Sequence, residues 1–322
     1  MDQDLTSNPL RFVIYGAGGV GGLFGALLAR NGIDTAFIAR GAHLDVIRRQ
    51  GLTVSSPKGE MLVRPRAATA DPAEVGQADV ILLCVKAEQV IDAAEHIAPM
   101  IHAGSVVIPL QNGVEAADQA RRVLGDNAVF TALCGMMSWV SAPGHIRTLG
   151  NASFIKFGEI DNRRSERAVR LQSIFKDAGI EAEIPADIDV ALWEKFLFIA
   201  SLGGVGAVCG EPFGLLRDNP ESRRMLELAM MEIFELGRAR GVPLDPDVVS
   251  RTLSFVDELP SEATASMQRD IAAGRPSELD AWSGAVVRLG RASGVATPVH
   301  EHMYEALLPD EQNARKAAKR RR

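Results

Sequence analysis

Gly16, Gly18 and Gly21 stand at the spacing glycine-x-glycine-x-x-glycine within the run Gly16-Ala17-Gly18-Gly19-Val20-Gly21. The first glycine allows a tight turn out of a strand, the second lets backbone approach a pyrophosphate, and the third lets a helix pack closely on the sheet. The context fits: Arg11–Tyr15 (RFVIY) is a β-rich run just before, and Leu23–Arg30 just after reads as helix. A helix N-terminus so placed turns its amide N–H groups toward phosphate. A glycine-rich turn without a ligand is the plainer alternative. The next strand, Thr35–Ala39, ends in Ala39-Arg40-Gly41. An NAD site would carry Asp or Glu there for the ribose 2′-hydroxyl, and Asp34 stands at the opposite end. Arg40 can instead grip a 2′-phosphate with two parallel hydrogen bonds. The reading is NADP(H), against a merely solvated loop arginine.

Two polar residues follow apolar strands at the carboxyl side, where open α/β sheets hold ligands. Lys86 comes directly after Val80–Val85 (VILLCV), and Asn112 follows Ser105–Leu110 (SVVIPL) by one residue. Lys86 can meet a cofactor or a substrate anion. Asn112 can fix a nicotinamide ribose or a substrate carbonyl through its amide N–H. Their plainer readings are a surface lysine at a helix start and an Asn-Gly turn. Lys195 has Ala191, Leu192, Phe198 and Ile199 as its neighbours three and four residues away on a predicted helix. An ammonium on such a face is partly desolvated, which lowers its pKa toward neutrality and suits it to protonate a ketone oxygen while hydride reaches the carbon. A lysine stem lying along apolar surface with its head in water is the alternative. Glu278 and Asp280, in Arg275–Asp280 (RPSELD), sit in a predicted first helical turn capped by Ser277, a placement the helix dipole explains without further role.

The elements around these residues alternate strand and helix: β-α-β through Ala39, then helix around Ala87–Ile97, strand Ser105–Leu110 and helix around Glu115–Val123. This predicts a doubly wound parallel sheet. Phe130–Cys134, Gly144–Thr148 and Ser153–Gly158 read as short strands extending that sheet in antiparallel fashion, followed by a helix at Ser165–Ala178 and a strand at Glu181–Ile184. Pro185-Ala186-Asp187 reads as a boundary. Beyond it the pattern is helical: Asp189–Leu202, Pro220–Arg240, Pro246–Phe255, Ala263–Ala273, Ser277–Ser293 and Pro298–Leu308. The expected organisation is therefore an α/β domain over residues 1–186, an all-α domain over 187–312, and a basic, disordered tail at 313–322.

Composition narrows the partners. The 322 residues are 47% hydrophobic and 24% charged, enough for about two well-packed domains and against wholesale disorder. Net charge is −6 even though six of the 35 basic residues crowd Arg315–Arg322, so the rest of the chain is a poor surface for nucleic acid or an anionic membrane. Cys84, Cys134 and Cys209 are odd in number and widely spaced, which predicts neither a disulfide framework nor a metal site. The N-terminal MDQDLTSNPL is too polar for a signal peptide. The uncharged run Phe196–Gly210 is too short and too glycine-broken for a membrane span. A cytoplasmic protein acting on a small molecule is expected. A homodimer is compatible with this pattern, which does not itself fix the assembly.

In order along the chain, these residues resemble the ketopantoate reductase (2-dehydropantoate 2-reductase) family. The likeness spans roughly Arg11 to Leu308 and rests on Gly16–Gly21, Arg40, Val85-Lys86-Ala87, Asn112-Gly113, Leu192-Trp-Glu-Lys195, Ser266-Met267 with Asp270, and Ser277-Glu-Leu-Asp280. It implies a Rossmann domain followed by a helical domain like the C-terminal one of 6-phosphogluconate dehydrogenase, and NADPH-dependent reduction of a 2-oxo acid, giving (R)-pantoate on the route to pantothenate. It further implies Lys195 as general acid, Glu278 as the group engaging the substrate hydroxyl and completing the site, Ser266 as a carboxylate contact, and Asn112 with Lys86 as the polar pair near the cofactor. One departure stands out. In the best-known members the lysine's helix also bears asparagines four and eight residues on, where this chain has Ile199 and Gly203. A reductase for another branched 2-oxo acid, or an NADPH-binding sensor without catalysis, are the competing expectations.

Overall fold

The computed structural model describes residues 9–320. The first eight residues, with the expectation made for them, and the last two lie outside the described residues. The chain divides into two compact units: one runs through Gln111 and resumes over Ala116–Ile188, the other comprises Asn112–Glu115 and everything from Asp189 onward.

The first unit carries β1 (Phe12–Tyr15), α1 (Gly19–Arg30), β2 (Thr35–Ile38), α2 (Gly41–Gln50), β3 (Leu52–Ser56), β4 (Gly59–Val63), β5 (Ala67–Thr69), β6 (Val80–Leu83), α3 (Val90–Ile97), β7 (Val106–Pro109), α4 (Ala116–Leu124), β8 (Thr131–Ala142), β9 (His145–Gly158), α5 (Glu166–Asp177) and β10 (Glu181–Glu183). The nucleotide-type sheet is parallel throughout, in the order β5-β2-β1-β6-β7. This is a Rossmann-like arrangement, and the strand order reverses at β1, whose carboxyl end leads into Gly16. Its strands are apolar on both faces because both are covered. Phe12, Ile14, Phe37, Leu82 and Ile108 join one core, while Val13, Tyr15, Ile38, Ile81 and Val107 join the other. Period-two alternation thus sends neighbouring residues to opposite layers.

The strands read as an antiparallel extension belong to a separate mixed sheet, ordered β10-β9-β3-β4 with β8 on β9. Two long strands, β8 and β9, replace the three short ones expected. Bulges at Gly135/Met137 and Val140/Ala142 and a tight turn with Gly144 at φ 73° let one ribbon run where composition suggests breaks. The two sheets' side chains meet in an aromatic cluster. Phe130 stacks on Phe157 at 5.8 Å, and Phe175 meets Phe12 and Phe157 edge-on. Burying each such ring stabilises by roughly 1.5–3 kcal/mol.

The second unit is helical: α6 (Ile188–Cys209, its first residue still in the first unit), α7 (Phe213–Asp218), α8 (Pro220–Ala239), α9 (Val248–Glu258), α10 (Ser266–Ala272), α11 (Ser283–Ser293) and α12 (Pro298–Arg320). α6 passes the length and composition test for a membrane span, which the shorter sequence reading did not foresee, yet most of its apolar window is buried inside the protein. Three glycines lie in its interior because side chains press on them. A Cβ at Gly203 would come within 2.4 Å of Trp282, at Gly204 within 2.7 Å of Met303, and at Gly206 within 2.8 Å of Gln268.

Two corrections follow. Residues 278–282 form a bend and turns rather than the start of a helix, and α11 begins at Ser283. The basic tail expected to be disordered is helical through Arg320, as α12 passes Pro309 without ending. A proline inside a helix costs about 3 kcal/mol, and here contacts beyond it favour continuation: Glu311, buried, accepts from Arg315 one turn on at 2.5 Å, and Ala314 is buried.

Candidate active site

The glycine loop lies between β1 and α1 as its spacing predicts. Gly16 has φ 102°, where only glycine sits easily, and a Cβ there would approach the Cys84 carbonyl carbon and oxygen at 3.0 Å. A Cβ at Gly21 would lie 2.1 Å from the Gly16 carbonyl oxygen and 2.8 Å from Ile14. At Gly18, the cap of α1, a Cβ would meet nothing within 4 Å, and the first turn of α1 holds no acid. Open space before an uncompensated helix N-terminus suits a pyrophosphate. Ala17 is buried and Val20 half-buried on the same turn.

Arg40 is exposed at the end of β2, capping α2. Its guanidinium lies beside the Tyr15 hydroxyl, where burial pushes the phenol pKa up and Arg40 opposes the rise. Tyr15 also meets His96 Nδ1 at 3.2 Å. The arginine is therefore held at the carboxyl ends of β1 and β2, and no acid takes the NAD-type position. These residues fit a 2′-phosphorylated dinucleotide.

His43, in the first turn of α2, is a residue the sequence reading missed. The Gly144 N–H donates to its Nδ1 at 2.9 Å, so Nε2 carries the proton and donates to the Ala17 carbonyl oxygen at 2.8 Å. It ties the glycine loop to the β8–β9 turn. Burial lowers its pKa, with the Ala17 hydrogen bond opposing. Lys86 is exposed just past β6. Nearby, Gln111 Nε2 donates to the Leu83 and Val85 carbonyl oxygens at 2.8 and 3.0 Å, pinning the exits of β6 and β7 together.

The helical unit assembles three of the expected residues. Half-buried Lys195, on α6, donates from Nζ to Asn112 Oδ1 at 2.7 Å, and Asn112 Nδ2 donates to Glu278 Oε2 at 3.3 Å. Asn112 reaches this position through Gly113, whose φ is 105° and whose Cβ, if present, would approach the Ala281 carbonyl oxygen at 3.0 Å. Glu115 reinforces the segment by accepting from Arg288 at 2.9 Å, and Arg288 also donates to Asp280. Asp280, bonded by Tyr304 as well, is thereby structural. Asn112 gives one of its two amide N–H donors to Glu278. Its amide thus bridges an ammonium and a carboxylate.

Ile199 and Gly203 follow Lys195 along one face of α6, one and two turns on. The Trp282 ring covers Gly203, with Ala265 beside it. Ser266 is exposed at the start of α10, next to Ala265, and among the described residues no hydrogen bond links it to the Lys195 group. Among the described residues no cluster of His, Cys, Asp or Glu could hold a metal ion.

Residues 12–162 match the family model described as ketopantoate reductase PanE/ApbA, and residues 187–310 match that of its C-terminal domain. A 2-dehydropantoate 2-reductase of Halobacterium salinarum is 32% identical over 298 residues, 90% of this chain and 95% of its own length. An uncharacterized oxidoreductase of Bacillus subtilis, YkpB, is 30% identical over 92% of this chain and 98% of its own. The crystal structure of a PanE/ApbA family ketopantoate reductase from Ralstonia eutropha superposes with a TM-score of 0.86 at 30% identity, covering 95% of this chain and 100% of that one.

Proposed function

The chain belongs to the ketopantoate reductase family of oxidoreductases, and from that premise we propose that it reduces a 2-oxo acid to the 2-hydroxy acid with NADPH, 2-dehydropantoate to (R)-pantoate being the leading reaction, as a step toward pantothenate. The observation that carries this reading is the line Lys195–Asn112–Glu278, an ammonium and a carboxylate bridged by one amide. The glycine loop Gly16–Gly21 holds the pyrophosphate, and Arg40 the 2′-phosphate. Lys86 contacts the cofactor. When bound, the nicotinamide supplies the hydride. Asn112 takes one of the three ammonium donors of Lys195 and so orients the others. Lys195 donates to the ketone oxygen and gives up its proton as C2 becomes tetrahedral. Glu278 accepts from a substrate hydroxyl, and Ser266 donates to the substrate carboxylate. The three free thiols Cys84, Cys134 and Cys209 support a cytoplasmic setting.

One observation favours a second substrate. With Ile199 on the lysine face and the Trp282 ring seated on Gly203, that end of α6 is apolar, which suits a 2-oxo acid with a branched hydrocarbon side chain and no distal hydroxyl. The test is steady-state oxidation of NADPH, with NADH as control, across 2-dehydropantoate and branched 2-oxo acids ranked by kcat/KM. Lys195→Ala is expected to lower kcat by about 10²–10⁴-fold while NADPH binds as before. Near-normal kcat in that variant removes Lys195 from the acid role. Tight NADPH binding with no turnover on any acid supports a sensor instead.

A further inference from the structure

Glu311 and Arg315 lie past residue 310, where the match to the family model ends. They nevertheless reach back to the segment that carries Glu278. Glu311 is only 3% exposed. Its Oε2 accepts from the Ser277 backbone N–H at 2.9 Å and from Ser277 Oγ at 2.5 Å. Its Oε1 accepts from Arg315 Nε at 2.5 Å, and Arg315 Nη2 donates to the Ser277 carbonyl oxygen at 3.3 Å. A hydroxyl has one proton. With that proton committed to Glu311, the Ser277 oxygen turns a lone pair to the Leu279 N–H, from which it accepts at 3.2 Å. Every polar group of Ser277 is thus engaged, and Glu278 is the next residue along.

We propose that Glu311, assisted by Arg315, is a positioning residue for the reaction: by clamping Ser277 it sets the carboxylate of Glu278 against Asn112, and through Asn112 it sets the ammonium of Lys195. This rests on the reading of Lys195 and Glu278 given above. Glu311 touches neither substrate nor reacting atoms. The segment it clamps is a bend and turns from Glu278 to Trp282, without a regular helix to hold it, so side chains fix it: this buried carboxylate at its start, and Arg288 and Tyr304 on Asp280 further along. Hydrogen bonds to an ionised acceptor are the strong and short kind. Removing Glu311 takes the acceptor from the Ser277 N–H and from Arg315 Nε, and a displacement of about 1 Å at a reacting group costs on the order of 10²-fold in rate.

A double-mutant cycle on the full chain tests this. Glu311→Ala, Glu278→Ala and the double variant are compared in kcat/KM with the 2-oxo acid that wild type turns over best. Glu311→Ala is expected to lose roughly 10–100-fold, and Glu311→Gln to recover most of it, since its carbonyl oxygen still accepts from Ser277. In the Glu278→Ala background the same change is expected to cost less than about twofold, because coupled sites are non-additive. Equal losses in both backgrounds overturn the clamp and leave a general stabilising role. Should Glu311→Ala fail to fold, Arg315→Ala runs the same cycle. A wild type that turns over no 2-oxo acid overturns the catalytic reading. The clamp is then decided by amide hydrogen exchange across residues 278–284, where protection unchanged in Glu311→Ala or Arg315→Ala overturns it.

Discussion

Asn112 meets two groups with opposite demands. Lys195 can only donate and an ionised Glu278 can only accept, so an amide, acceptor at one atom and donor at the other, satisfies both. Asn112→Asp keeps the size and the acceptor but replaces the donor with a second anion facing Glu278. We expect kcat/KM to fall by about 10²-fold or more, as for a lost positioning contact next to a like charge, and steady-state kinetics with the preferred 2-oxo acid measures it. Activity near wild type would show that Glu278 does not depend on the bridge. Lys195 could be singled out in the sequence by its apolar neighbours and Asn112 by its place past a strand, whereas Glu278 came only with the family resemblance. Their pairing could not be read there, because Asn112 stands 83 positions from Lys195 and 166 from Glu278. Local spacing carries no record of such long-range contacts.

At the scale of elements, α1, α3, α4 and four strands of the parallel sheet (β1, β2, β6 and β7) were legible because their apolar patterns are strong and their glycine punctuation is local, whereas α2 and the three-residue β5 went unread. The hairpin of β3 and β4 was not, since only one face of it is buried: Leu52 and Val54 point inward while Leu62 is exposed. His43 left a single faint signal, a histidine in the first turn after Arg40. Its neutral form is the one that holds Ala17 and Gly144 together. Because burial lowers its folded pKa below 6.5, the unfolded chain takes up a proton first as the pH falls. The stabilisation is complete above 6.5 and is lost as pH drops toward the folded value. His43→Ala is therefore expected to weaken NADPH binding by roughly tenfold near neutrality, the worth of about one hydrogen bond. Titration of NADPH fluorescence at several pH values reads this, with the wild-type advantage shrinking in acid. An advantage that stays constant with pH, or no advantage at all, would take His43 out of the loop's support.

For the whole molecule, the helical unit adds a buried histidine of its own to the acid response. His300 is fully buried on α12, its Nε2 against the Ala229 carbonyl oxygen at 3.2 Å, and burial lowers its pKa from 6.5 to about 4. Protonation is thus resisted by the fold and accepted by the unfolded chain, so stability is lost between pH 6.5 and about 4, by about 3 kcal/mol in total. Glu232, which accepts from the Val299 and His300 N–H groups, has a pKa raised by burial and works in the other direction. The histidine's share is accordingly the difference between wild type and His300→Gln in urea unfolding, followed through Trp193 and Trp282, both buried in that unit's core. Parallel pH dependences in the two proteins would refute it.

The segment Asn112–Glu115 has one more consequence. Cutting or fusing the gene at residue 187, where composition suggests a natural seam, would not yield two self-sufficient modules, because the helical fragment would lack Asn112 and Glu115, which it needs to seat its lysine and to balance Arg288. Domain shuffling by a single crossover is thereby closed to this architecture, and any working chimera must exchange the four-residue loop along with the helices.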